Sequence, residues 1–191
     1  TPSVTATPTE VPTPTPSPTP LPAARIDLGE QDLFLGNFED ARKQYLEAQS
    51  AAQDDETRAA ALIGSARSVY LERNYGAAIS QLESVLQTYP SSPQAPYAWF
   101  YLAQAYDDSL QYALAAQAYG KYIELGPGLL NGYVYEYQGD AFANAGEMVN
   151  AATAYQMALE HYHPGSPEWI RLKQADALLA ANDFTNAVIL Y

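Results

Sequence analysis

Residues 75–119 read YGAAISQLESVLQTYPSSPQAPYAWFYLAQAYDDSLQYALAAQAY, and one phrase occurs in them twice. It consists of an aromatic, two residues, Ala, three residues, and a large apolar or aromatic residue. Its copies here are Tyr75, Ala78, Leu82 and Tyr112, Ala115, Tyr119, offset by 37 residues. A further 37 residues upstream stand Phe38, Ala41 and Tyr45. Downstream, at offsets of 36, stand Met148, Ala151, Tyr155 and then Phe184, Ala187, Tyr191. Five copies at a near-constant period are the signature of a solenoid of stacked supersecondary units.

The i, i+3, i+7 spacing puts each phrase on one face of a helix. A second apolar stripe with a small residue at its centre precedes the later copies: Leu62, Ala66, Tyr70; Trp99, Leu102, Ala103, Tyr106; and Gln138, Gly139, Phe142. Each unit therefore reads as two helices, A then B, with the small residues allowing close approach. Pro90 and Pro127 follow two of the B helices, and proline cannot continue a helix. The helix pairs are expected over 23–53, 56–72 with 75–89, 94–108 with 111–125, 129–145 with 148–162, and 167–181 with 184–191.

These residues resemble the tetratricopeptide repeat (TPR), a helix-turn-helix unit whose pattern is a large residue, Leu, Gly or Ala, an aromatic, a second-helix aromatic, Ala, an aromatic, and a late Pro. The third copy fits best, with Trp99, Leu102, Ala103, Tyr106, Tyr112, Ala115, Tyr119 and Pro127. The first carries Gly29, Gly36, Phe38, Ala41, Tyr45 and Ala48, but Asp32 takes the aromatic position. In the fourth, Met148 replaces an aromatic and His163 stands where Pro is usual. The run at 89–106 is also similar to the links in TPR lipoproteins of bacterial outer-membrane assembly. The expected fold is an all-α, right-handed superhelical solenoid of five units, about 23–55, 56–93, 94–128, 129–166 and 167–191. Because the period exceeds the usual 34 or so, the links between units should be long.

Residues 1–22 are different: eight Pro, seven Thr and two Ser. Proline fixes φ and removes donors, so an extended, polyproline II-like tail is expected, about 70 Å long when fully stretched. Ser/Thr with Pro also suits O-glycosylation, with Thr5, Thr7, Thr9, Thr13, Thr15, Ser17 and Thr19 as acceptors. Such stalks point to an extracellular or cell-surface setting, and the link likeness points to a bacterial one. The chain begins without Met or a signal peptide, which fits a mature or processed chain or part of a longer one.

The net charge is −13, and Glu10 is the only charge in the tail. An acidic surface disfavours nucleic acid and anionic membranes. No apolar run is long enough for a membrane span. With no cysteine, disulfides say nothing of the compartment. There is no Walker loop, GxSxG, HExxH or CxxC, so no enzyme and no cofactor are expected. His161 and His163 do not share a helical face and lack a third ligand, so no metal is expected. Asp54, Asp55 and Glu56 read as helix caps, Ser91 or Ser92 as another cap, and Asp107-Asp108 as a solvated turn.

The resemblance implies a concave groove lined by A helices. Matching positions are Ile26, Glu30 and Leu33; Ile63, Arg67 and Tyr70; Tyr97, Phe100, Tyr101 and Gln104; Tyr133, Glu136, Tyr137 and Asp140; and Trp169, Leu172 and Asp176. The Lys/Asn pattern that grips a C-terminal carboxylate in chaperone-binding members is missing, since Ile26, Ile63 and Phe100 stand at its Lys positions. About half of the aromatic rings should pack between units. The rest would suit an extended, proline-rich ligand, which loses little entropy on binding. Two functions follow. In one the chain assembles head to tail into a filament, the tail held by a neighbouring subunit and Phe184, Val188, Ile189 and Tyr191 forming the contact. In the other it is a monomeric cell-envelope adaptor that binds another protein's extended segment and uses the tail as a tether.

Overall fold

The computed structural model describes residues 21–126, 128–161 and 165–191. The Thr/Pro run over 1–20, with its proposed glycosylation positions, lies outside them, as do Pro127 and His163. Among the described residues there are ten helices: α1 (Pro22–Leu35), α2 (Phe38–Ala51), α3 (Asp55–Leu71), α4 (Tyr75–Thr88), α5 (Ala95–Asp108), α6 (Tyr112–Glu124), α7 (Asn131–Asn144), α8 (Met148–Glu160), α9 (Pro167–Ala180) and α10 (Phe184–Leu190). The odd-numbered helices are the A helices and the even-numbered the B helices. Each packs on the next in sequence, and α1 also touches α3, as α3 touches α5. The A helices thus line one side of the solenoid. The first helix starts one residue earlier than expected, because Pro22 fits the first turn, where its missing N–H costs nothing.

The A–B turns repeat one backbone device. A residue with positive φ follows each A helix: Gly36 (79°), Arg73 (63°), Leu110 (62°), Gly146 (81°) and Asn182 (64°). The next residue donates its N–H back into the A helix, as Asn37 does to Asp32 O at 2.8 Å and Gln111 to Tyr106 O at 2.8 Å. That closes the helix end in the Schellman manner. The same residue opens the B helix; Asn74 and Asp183 also accept from the Ala77 and Asn186 N–H groups. At the α3 start Asp54 accepts from the Thr57 N–H at 2.7 Å, the expected cap.

Two expected turns are built differently. Asp107 and Asp108 are the last residues of α5, because the chain stays helical until the positive-φ Leu110. Ser92 does not cap α5: its Oγ accepts from the Gln94 N–H, one residue before the helix begins, and its carbonyl takes the Ala95 N–H. The long links separate Thr88 from Ala95, Glu124 from Asn131 and Glu160 from Pro167. The first link is short, since the extra residues of that unit extend α3 to 17 residues.

Packing follows the repeated phrase. Its alanines Ala41, Ala78, Ala115, Ala151 and Ala187 are all buried, as are Tyr45, Leu82, Tyr119 and Tyr155. Burying each such large side chain contributes about 1.5–3 kcal/mol. The rings sit on small A-helix residues. A Cβ on Gly29 would lie 2.7 Å from the Tyr45 ring, on Gly64 2.3 Å from it, and on Gly139 2.5 Å from the Tyr155 ring. The largest core cluster spans α3 to α7; smaller ones join α1 with α2 and α8 with α7 and α9. Because each unit buries its face only against its neighbours, stability is close to a sum over adjacent contacts.

Gly64→Ala should therefore lose about 1–3 kcal/mol through overpacking. Gly76→Ala, where a Cβ meets nothing within 4 Å, should gain roughly 0.5 kcal/mol. Thermal unfolding of both variants checks this, and an unchanged or raised Tm for Gly64→Ala would contradict the seating of Tyr45. Leu110 is 70 % exposed, so Leu110→Gly removes little packing and should add about 1 kcal/mol by relieving the left-handed backbone. A lower denaturant midpoint for that variant would count against the turn.

Candidate binding groove

Helical spacing brings Glu30, Arg67, Gln104, Asp140 and Asp176 to equivalent places on α1, α3, α5, α7 and α9. Their offsets, 37, 37, 36 and 36 residues, follow the repeat. Fifteen residues later stand Tyr45, Leu82, Tyr119, Tyr155 and Tyr191 on the B helices. In three units the two positions meet: Tyr45 donates to Glu30 at 2.8 Å, Tyr155 to Asp140 at 2.7 Å and Tyr191 to Asp176 at 2.5 Å. For Tyr45 and Tyr155 the ring packs in the core and the hydroxyl emerges on the A-helix side, whereas the Tyr191 ring is exposed.

Ion pairs tie neighbouring A helices together. Arg67 donates to Glu30 at 2.6 Å and lies 4.7 Å from the centre of the Tyr101 ring, so one side chain touches α1 and α5. Burial alone would lower its pKa, but Tyr101 and Glu30 hold it above its ordinary value. At the other end Lys173 of α9 donates to Glu136 and Asp140 at 2.8 Å and lies 5.8 Å from the Tyr155 ring. Burial there too is outweighed, mainly by the hydrogen bonds to Asp140 and Glu136, so the lysine stays charged. Between α3 and α5, Tyr70 donates to Asp108 at 2.6 Å.

Among the expected groove aromatics, Tyr97 (53 % exposed), Tyr137 (40 %) and Trp169 (57 %) are open. Tyr70, Phe100, Tyr101 and Tyr133 are half-buried, as is Gln104. Phe100 packs on the core, 5.5 Å from Tyr101 and 5.6 Å from Tyr122. Leu33 does not line the groove: it is buried against Ala41 and Tyr45, because α1 turns that face to α2. Ile63 is buried at the floor of a cleft of about 440 Å³ walled by Glu30, Arg67, Tyr97 and Tyr101. Lys173 was not among the expected positions, although its spacing of four from Trp169 and three from Asp176 puts it on their face.

Other expected contacts sit elsewhere. Phe184, Val188, Ile189 and Tyr191 are exposed on and just after α10. His161 stacks on Tyr135 at 4.9 Å, with Nδ1 2.8 Å from Met157 O. Among the described residues no group of three or more metal-binding side chains gathers, and no helix is long and apolar enough to cross a membrane.

The family model described as tetratricopeptide repeat matches residues 26–96, 65–129 and 102–167. No curated protein matches the chain. Solved structures do. The nearly identical TPR-like repeats of Podosopora anserina superpose with a TM-score of 0.69 at 16 % identity, over 88 % of this chain and 90 % of that one. MamA from Desulfovibrio magneticus gives 0.66 at 17 %, over 88 % and 90 %. BtubC from P. vanneervenii gives 0.69 at 17 %, over 85 % and 74 %. At such identities the likeness is one of fold.

Burial, with the Glu83 carboxylate that accepts its proton, pushes the Tyr106 hydroxyl up to about 12. Burial raises Tyr45, Tyr119 and Tyr155 as well. An unfolded tyrosine releases its proton near pH 10 while these retain theirs, so above that pH the unfolded state binds fewer protons and stability falls as pH rises. Chemical denaturation between about pH 9 and 11 should show a falling unfolding free energy; a flat profile would contradict these burials.

Proposed function

The chain belongs to the tetratricopeptide repeat family, and on that premise we propose that it is a non-catalytic scaffold holding an extended segment of a partner protein along its A-helix groove. One observation carries this reading. Open rings recur on three successive A helices, Tyr97 on α5, Tyr137 on α7 and Trp169 on α9, beside charged side chains already fixed by ion pairs. Rigid rings give large contact area at little entropic cost, and a proline-rich ligand is itself preformed. The Thr/Pro segment then serves as a stalk, in a setting outside the cytoplasm where O-glycans can be added.

A second reading is head-to-tail self-assembly. It is favoured by the exposed Phe184, Val188 and Ile189 on α10 and by a proline-rich segment in the same chain. Heterologous contacts that do not close give filaments.

Binding of arrayed extended peptides should fall about tenfold or more in Tyr97→Ala with Tyr137→Ala at unchanged Tm, since a few aromatic anchors carry most of the binding energy at such sites. Equal binding by the variant would remove the groove from the account. Light scattering on the full chain and on a chain lacking residues 1–22 separates the two readings. Monomers in both cases support the scaffold, and growth that disappears with the deletion supports self-assembly. A mass that falls when the native protein is chemically deglycosylated supports a glycosylated stalk, and an unchanged mass would exclude one.

A further inference from the structure

Twice along the groove the chain supplies a cation between an acid and a ring. On the α1–α3–α5 side the set is Glu30, Arg67 and Tyr101. On the α7–α9 side it is Glu136 with Asp140, Lys173 and Tyr155. Between them the acids and rings are present without a cation. Gln104 stands at the place Arg67 takes one unit earlier. Asp107 and Asp108 follow on the same helix, and among the described residues neither forms an ion pair with a lysine or arginine. Asp108 accepts one hydrogen bond, from the neutral Tyr70 hydroxyl, so its charge is uncompensated. Asp107 has one oxygen buried with no partner; burial, then Asp108 and Asp140, raise its pKa. Tyr137 lies 6.0 Å from Tyr119, whose hydroxyl senses Asp107 and Asp108 together.

We propose that the middle of the groove, between Arg67 and Lys173, receives a lysine or arginine side chain of the partner's extended segment, held by Asp108 and stacked against Tyr137. This rests on the groove reading above and names the chemistry of the occupant. Carboxylate and ring together suit a cation better than either alone, because charge-assisted hydrogen bonds and cation–π attraction act on the same group. The net charge of −13 attracts a basic partner at long range. The chain's own residues 1–22 hold Glu10 and no base, so they cannot provide this side chain. The occupant proposed is a basic extended segment of another protein.

The test uses two fluorescent proline-rich peptides that differ only in carrying arginine or glutamine at two positions, titrated onto the full chain. The arginine peptide should bind at least about tenfold more tightly, and the gap should shrink with salt. Asp107→Asn with Asp108→Asn should abolish the preference. So should Gln104→Lys, which offers an internal cation and leaves both acids in place. Glu39→Gln with Asp40→Asn, the same charge change on exposed residues of α2, should leave it intact. Equal binding of the two peptides, or a preference that survives in both groove variants, overturns the proposal. If the glutamine peptide binds equally and Tyr97→Ala with Tyr137→Ala removes it, the groove reading stands while this one falls. If neither peptide binds, both fall.

Discussion

The Tyr45 ring has Gly29 on one side and Gly64 on the other, and neither glycine could gain a Cβ without displacing it. That contact sets how closely α2 can approach both its own A helix and the next. Tyr155 sits on Gly139 in the same manner. In the third unit Tyr119 takes the equivalent place, and its partner position is Ala103, also buried. The small residue is what lets one large ring serve two A helices. Close packing at native density then makes the A-helix spacing a consequence of side-chain volume.

The same tyrosines carry that constraint to the surface. The hydroxyls of Tyr45 and Tyr155 reach Glu30 and Asp140 on the A helices. A buried Tyr hydroxyl needs a partner, so each acid is oriented from beneath by the core. Arg67 and Lys173 then orient Glu30 and Asp140 from the neighbouring unit. Their side chains are only partly exposed, so the pairs are less screened than surface bridges. The groove's charges are largely preorganised before any partner arrives, which lowers the entropic cost of binding.

The helix pairs were legible in the sequence because the phrase of ring, Ala and large residue marks one buried face, and all five of its alanines are buried. The turn positions were less so. Gly36 announces a left-handed backbone, whereas Arg73 and Leu110 adopt it because the repeat geometry overrides their preference. The same override keeps Asp107 and Asp108 helical where a polar pair suggested a turn. Within the groove, spacing alone separated the A-helix face from the B-helix face. It did not tell Leu33, which faces α2, from Tyr97, which is open, because both lie near the edge of the stripe. Lys173 carries no signal in the sequence because a lone lysine on an exposed face is ordinarily solvated; its partners, Glu136 and Asp140, lie on another helix.

On the proposed function, the A-helix face is the working surface of this solenoid. Amide-resolved NMR of the full chain, titrated with an arginine-bearing proline-rich peptide, tests it most directly. Shifts are expected to concentrate in α3, α5, α7 and α9 around Arg67, Tyr97, Asp108, Tyr137 and Trp169. Shifts confined to the B helices α2, α4 and α6 would contradict it.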